Sequence, residues 1–254
     1  MTIAQELDAL DGIFPDVIFP PGDLYSDEPP LETELHLRQI ILLLICLEWL
    51  WRDRNDFYAA GNLTIYYSPR QLKSEDFRGP DFFVVLGTQR KTRKSWVVWE
   101  EDGKYPNVIL EILSDSTAKT DKGLKKEIYQ DTFRTPDYFW FDPYTLEFAG
   151  FHLVDGEYQP LQPTEKGYLW SQQLGLYLGM YQGLLRFFTA DEQLVPTPEE
   201  TAQQTEQKLE QVEQKAQQTE QKLEQVEQKA QQEAEKAKRL AAKLRELNID
   251  PDTI

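Results

Sequence analysis

The sequence predicts an α/β (α+β) domain followed by a long helical tail, and three observations carry that prediction. Short runs rich in β-branched and aromatic residues alternate with two helical patterns in the order α-β-β-β-α-β, and a hairpin signal follows. Aromatic residues make up 12% of the 254 residues, yet none lies beyond Phe188, so one core is built from the first three quarters of the chain. Beyond residue 199 the composition changes in kind, and a fourteen-residue block, QQTEQKLEQVEQKA, occurs twice in succession at 203–216 and 217–230.

In chain order, residues 1–30 are acidic and carry Pro15, Pro20, Pro21, Pro29 and Pro30, which predicts an irregular N-terminal arm. The domain proper is expected over 31–195. Thr33 precedes a helix running to about Arg52, with Leu35, Ile40, Leu43, Leu44, Leu47 and Leu50 near helical spacing. Glu34 and His36 stand near its start, where a solvated first turn or a place in a site are both open, and a carboxylate there suits the helix dipole. Cys46 falls inside the apolar helix and reads as a buried structural thiol. Phe57–Tyr67 reads as strand interrupted by Gly61 and Asn62, and 68–78 as a polar loop. Gly79-Pro80-Asp81 leads into the apolar run Phe82–Leu86. Residues 90–94, RKTRK, read as a solvated basic loop, and Trp96–Trp99 as a short aromatic segment.

The stretch from Asn107 to Tyr129 is the centre of the chemistry. Val108, Ile109, Leu110, Ile112 and Leu113 form a buried strand interrupted by one acid, Glu111. A lone buried carboxylate costs several kcal/mol to desolvate unless it meets a cation or a proton. A Ser/Asp/Thr turn then opens a helix at about 121–132 that carries Lys125 and Tyr129 one turn apart. Thr135-Pro136 breaks that helix. Tyr138–Phe141 is a further strand, and 146–153 and 157–161 form a hairpin about Asp155-Gly156 that includes His152 as a strand residue. Residues 168–189 are expected to finish the sheet.

Over 199–248 the tail keeps heptad spacing. With Leu209 at position a, Ala202, Ala216, Leu223, Ala230, Ala237 and Leu244 share a, and Thr205, Val212, Thr219, Val226, Glu233, Leu240 and Leu247 fall at d. Lys208, Lys215, Lys222 and Lys229 occupy g, and Glu206, Glu213, Glu220 and Glu227 occupy e. A parallel in-register pair sets each g lysine beside an e′ glutamate, whereas an antiparallel pair brings like charges together. A parallel homodimeric coiled coil is therefore one expectation. A lone charged helix, held by pairs such as Glu235 with Arg239, is the other.

The formal net charge is −17, and residues 1–198 hold 31 acids against 18 bases. Such a domain lacks the general basic footprint that displaces counterions from duplex nucleic acid. One cysteine excludes an internal disulfide framework. No basic n-region followed by an apolar h-region opens the chain, and the longest apolar run is far short of the ~20 residues that span a bilayer. A cytoplasmic protein without membrane association is expected.

Asp81 begins one buried strand and Glu111 interrupts another, so pairing of the two strands brings their carboxylates within reach of one ion. Two carboxylates, a backbone carbonyl and waters make a hard oxygen site suited to Mg²⁺ or Mn²⁺. A nearby lysine can stabilise a pentacovalent phosphate.

Taken together, these motifs resemble the restriction-endonuclease-like PD-(D/E)XK nucleases and, more closely, the bacterial Uma-type endonuclease family. The resemblance rests on Pro80-Asp81 before Phe82–Val85; on Glu111-Ile112-Leu113-Ser114 with Ser116-Thr117; on Asp121, Lys125 and Tyr129 at four-residue steps; and on Tyr138-Phe139-Trp140 with Asp142-Pro143. His36 also fits the family. The likeness covers about 25–195 and implies a mixed central sheet flanked by helices. It further implies a Mg²⁺- or Mn²⁺-dependent endonuclease that hydrolyses DNA phosphodiester bonds, with Asp81 and Glu111 as metal-binding acids. Leu113 stands where the superfamily's strand lysine is expected, so by position the lysine's role passes to Lys125. Asp121 and Tyr129 also suit a helix N-cap and a packing or hydrogen-bonding position. Dimerisation through the tail would place one site on each DNA strand. An inactive nuclease-fold scaffold assembled through its tail is the alternative that the acidic charge favours.

Overall fold

The computed structural model describes residues 33–68, 77–114 and 118–246. The N-terminal arm, most of the polar loop after Ser68, the turn at 115–117 and residues 247–254, with Leu247 and the end of the expected heptads, lie outside the described residues. The chain divides into two units, 1–198 and 199–254.

In the first unit, helix α1 spans Glu34–Leu50, its N-terminus capped by the Thr33 side chain, which accepts from the His36 amide at 3.2 Å. Strands β1 (Phe57–Gly61), β2 (Ile65–Tyr66), β3 (Phe77–Arg78), β4 (Phe82–Leu86) and β5 (Trp96–Val97) follow, then a 3₁₀ turn at Val98–Glu100 and β6 (Val108–Ile112). The crossover after β6 holds a helical turn α2 (Ala118–Thr120), a π turn (Asp121–Lys125) and helix α3 (Lys126–Asp131). Strands β7 (Asp137–Phe141), β8 (Phe148–Val154), β9 (Glu157–Pro160), β10 (Leu169–Ser171), β11 (Leu176–Tyr181) and β12 (Leu184–Phe188) complete the unit.

Six strands form the central sheet in the order β1-β4-β6-β7-β8-β9. Only β6 and β7 run parallel, and the crossover between them is what parallel neighbours require. The sheet is therefore mixed, as the resemblance implies. Both faces are covered, which is why β4 and β6 are apolar without strict alternation. Val108, Leu110 and Ile112 pack on one face with Leu43, Leu47 and Phe187, and Ile109 packs on the other with Tyr129, Tyr138 and Trp96. Alternation along β6 thus assigns Glu111 to the face that carries α3. Burying each large apolar side chain in these two layers contributes about 1.5–3 kcal/mol. Gly61 fits here because a Cβ would collide with the Ile40 side chain, and the glycine allows α1 to lie close over β1.

Three expectations need correction. Residues 168–189 do not finish the central sheet but pair with themselves, as β10-β11-β12. Tight turns with Gly175 at φ 66° and Gln182-Gly183 at φ 52° and 78° close both hairpins locally. The polar loop after Ser68 ends in a strand, β3, which pairs with β2. The basic loop is not simply solvated. Arg93 is nearly buried, bonds Glu101 through Nε and Nη2 at 2.6 and 2.9 Å, and lies over the Tyr58 and Trp96 rings. Tyr58 and Trp96 draw it in, since a guanidinium stacks on aromatic faces.

His152 is a strand residue, and its Nδ1 lies 2.7 Å from Oδ1 of the fully buried Asp137. The other oxygen of Asp137 accepts from Ser171 Oγ at 2.6 Å and from the Gln173 amide at 3.0 Å. The carboxylate stands between hydroxyl and imidazole, so the three residues do not form a nucleophilic relay. They tie β10 to the central sheet.

The described part of the second unit lies in one helix, α4 (Pro198–Glu246, 49 residues), with no buried residue along it. At 1.5 Å per residue it is about 70 Å long. Arg239 and Glu235 form the expected local pair at 3.7 Å. No helix among the described residues is long and apolar enough to cross a membrane.

Candidate active site

Antiparallel pairing of β4 with β6 sets Phe82 opposite Leu110, and Asp81 therefore reaches Glu111 across one strand spacing. The two acids are interlocked through the backbone. The Ile112 amide donates to Asp81 Oδ2 at 2.7 Å, and the Asp81 amide donates to Glu111 Oε2 at 3.3 Å. Asp81 Oδ1 lies 2.9 Å from Nε2 of His36 on α1. Glu111 is fully buried and accepts from Tyr129 Oη at 2.6 Å and Lys125 Nζ at 3.2 Å. Lys125 also meets Asp121 Oδ1 at 2.8 Å.

The π turn explains why one short helix supplies all three partners. In a regular α-helix a four-residue step drifts by about 40° around the axis. The wider π turn between Asp121 and Lys125 offsets that drift, so Asp121, Lys125 and Tyr129 stay aligned toward the sheet. Tyr138 fixes the turn from beneath by donating from Oη to the Asp121 carbonyl at 2.8 Å.

Every candidate except Glu34 joins this cluster. Glu34 is exposed and pairs with Arg38 at 2.6 Å, in the solvated first turn. His36, two residues on, is instead buried against Asp81, because its position faces the sheet with Gln39, Ile40 and Leu43. Asp121 is no N-cap. It is fully buried inside the helical segment and faces Lys125. Tyr129 both packs, against Tyr138 and Phe133, and hydrogen-bonds. The chain's spacing gave no sign that Trp140 belongs beside the cluster. It is register partner to Glu111 on β7, on the same face, and only strand pairing reveals it.

The electrostatics follow from three buried carboxylates sharing one lysine. Burial pushes the Glu111 carboxyl well above its ordinary range. Lys125 opposes this, but the negative charges of Asp81 and Asp121 add to it. Burial also raises Asp81, yet His36, Lys125 and the Ile112 amide outweigh it and leave its pKa below the usual value. For Lys125 burial works downward, and the charges of Glu111, Asp121 and Asp81 overcome it, so the ammonium is held charged. Burial first, then Glu111, pushes the Tyr129 hydroxyl far up, so it stays a donor.

A divalent cation fits this donor set. The oxygens of Asp81 and Glu111 are hard ligands, the cluster carries excess negative charge, and Asp121, whose Oδ1 meets Lys125, keeps its buried Oδ2 without a hydrogen-bond partner among the described residues. No three His, Cys, Asp or Glu side chains converge on one preformed cation position among the described residues.

A mixed sheet bearing interlocked acids and a lysine on the crossover helix places the chain among nuclease-like α/β domains. The Uma2 family, described as "Putative restriction endonuclease", matches residues 6–184, and the chain belongs to that family. It is also similar to a solved structure described as a "putative nuclease belonging to DUF820 from Anabaena variabilis ATCC 29413", at 12% identity and a TM-score of 0.43, over 58% of this chain and 76% of the other. No curated protein matches the chain.

Proposed function

We propose that the domain is a Mg²⁺- or Mn²⁺-dependent endonuclease that hydrolyses DNA phosphodiester bonds at the cluster of Asp81, Glu111 and Lys125. The observation that carries this reading is the direct interlock of the two acids with a lysine ion-paired to one of them. A bound divalent ion would be held by Asp81 and Glu111, and would polarise the phosphate and activate water. The protein's own groups have distinct tasks. Lys125 Nζ presents positive charge to a phosphate oxygen as negative charge grows there. Tyr129 Oη and the Asp81 amide orient Glu111, and His36 holds Asp81. Asp121 keeps the Lys125 ammonium in place. The protein acts in the cytoplasm.

The test is cleavage of plasmid and single-stranded DNA with Mg²⁺ or Mn²⁺ by wild type, Asp81→Ala and Glu111→Ala. Cleavage by wild type alone supports the reading, and no cleavage by wild type with any metal or substrate sinks it.

The tail pairs in parallel with a second copy as a coiled coil. Leu209, Val212, Leu223, Val226 and Leu240 are each about 60% exposed along one seam, an apolar stripe that a partner helix would cover. Sedimentation of the full chain should show a dimer and of residues 1–198 a monomer; equal masses would refute the pairing.

A further inference from the structure

The acidity of the domain leaves open what form of nucleic acid it takes, and the surroundings of the acid cluster bear on that. The C-terminal ends of β6 and β7 lie side by side, joined beyond the strands by the Leu113 amide donating to the Phe141 carbonyl at 2.7 Å. The turn 142–147 therefore rises from the same end of the sheet as Glu111. It presents Tyr144 at 58% exposure and Leu146 at 45%. The turn is tightly bonded: Asp142 Oδ1 accepts from the Tyr144 and Thr145 amides at 2.8 and 3.1 Å, and the Asp142 amide donates to the Glu147 carbonyl at 2.8 Å. Tyr144 is thus an exposed aromatic on a fixed backbone, and little ordering is needed before a ring can stack on it.

Across from the turn lies the π turn. Lys122 Nζ sits 3.9 Å from the centre of the Trp140 ring and 3.4 Å from Glu147 Oε2, which latches the two segments together. Along the sequence this acidic chain turns basic here, for 118–126 holds four lysines and a single acid, Asp121, and Lys122 is the one that reaches the turn. This end of the sheet thus combines a lysine with one exposed ring, Tyr144, while the domain as a whole lacks the broad basic footprint that duplex binding needs.

We propose that the substrate is an unpaired nucleic acid strand, which lays a phosphate beside Lys122 and the acid cluster and stacks a base on Tyr144. This rests on the nuclease reading for the chemistry but not for the binding. Single strands are bound through base–aromatic stacking beside a short basic track, and that mode needs fewer cations than a duplex does.

The experiment is fluorescence anisotropy of the full chain with labelled 20-residue DNA oligonucleotides, single-stranded and duplex, in EDTA so that binding is read without cleavage. The single strand should bind at least tenfold tighter than the duplex. Tyr144→Ala should weaken single-strand binding about 5- to 100-fold, the loss expected for one stacked base, and Tyr144→Trp should retain it. Because Tyr144 is exposed, Tyr144→Ala should melt as wild type does, so a loss of binding is not a loss of fold. Equal or tighter duplex binding, no binding of either oligonucleotide, or unchanged binding by Tyr144→Ala overturns the proposal. Selective single-strand binding without any metal-dependent cleavage would leave it standing and remove the nuclease reading. Metal-dependent cleavage indifferent to Tyr144 would do the reverse.

Discussion

Replacing Lys125 by methionine is the perturbation that most fully exposes how the cluster is balanced. The ammonium lies 3.2 Å from Glu111 and 2.8 Å from Asp121, and both acids are shut away from water. Removing it leaves buried carboxylates without their cation, a loss of about 3–5 kcal/mol for a broken buried pair. Glu111 can take up a proton, since its pKa is already raised, and that limits the cost to the lower end, about 3 kcal/mol. At roughly 2–4 °C per kcal/mol for a domain of this size, Lys125→Met should melt about 6–12 °C below wild type. Adding Asp121→Asn removes the matching negative charge and should recover part of that loss, so the two substitutions are not additive. Mg²⁺ should raise the melting temperature of Lys125→Met more than that of wild type, because no ammonium then competes with the ion for the carboxylates. Thermal melts followed by circular dichroism of wild type, Lys125→Met, Asp121→Asn and the double variant complete the cycle. A Lys125→Met protein that melts within 2 °C of wild type, or a double variant that is additively worse, would refute this charge balance.

Two further outcomes follow from the same geometry. Tyr129→Phe keeps the packing and deletes the hydroxyl that Glu111 accepts from, so it should cost about 1–3 kcal/mol in urea unfolding and lower metal affinity as Glu111 becomes harder to ionise; an unchanged midpoint would mean the 2.6 Å bond contributes nothing. The pH dependence has a definite sign. Above about pH 4.5 the unfolded chain releases the Glu111 proton while the folded chain keeps it, so stability falls as pH rises through the window up to the raised native value. Asp81 works in the opposite sense and at lower pH: its stabilisation is present above its ordinary 3.8 and is lost as pH falls through the depressed native value. Urea midpoints between pH 4.5 and 7 should show a downward slope in wild type that is reduced in Glu111→Gln. An equal slope in both would assign the effect elsewhere.

The strands that carry the acids were readable because their hydrophobic runs are long and bounded by turn residues, and the hairpin at Asp155-Gly156 announced itself by its turn chemistry. Glu111 was readable because a charge inside an apolar run is conspicuous whatever the fold, Asp81 because it stands at the entry to another such run, and Lys125 through its place on the following helix and the family resemblance. Other parts depended on information that spacing does not hold. The π turn that aligns Asp121 with Lys125 has no spacing signature, so Asp121 looked as much like a cap as a buried partner. His36 and Glu34 are two positions apart on one helix, and only the direction of α1 across the sheet separates the buried residue from the exposed one. Trp140 stood in a motif of the resemblance, but its place beside Glu111 was not legible, since parallel register between strands about thirty residues apart fixes it. The self-pairing of 168–189 was decided by two glycine turns acting over short range, against the expectation that late strands extend an existing sheet.

The central claim is that Asp81 and Glu111 together hold one divalent ion next to Lys125. Titrating the full chain with Mn²⁺ and counting the free ion by electron paramagnetic resonance tests it directly. Wild type should bind one tight ion per chain, lost in both Asp81→Asn and Glu111→Gln while each variant stays folded by circular dichroism. Undiminished Mn²⁺ binding in either folded variant would contradict the account.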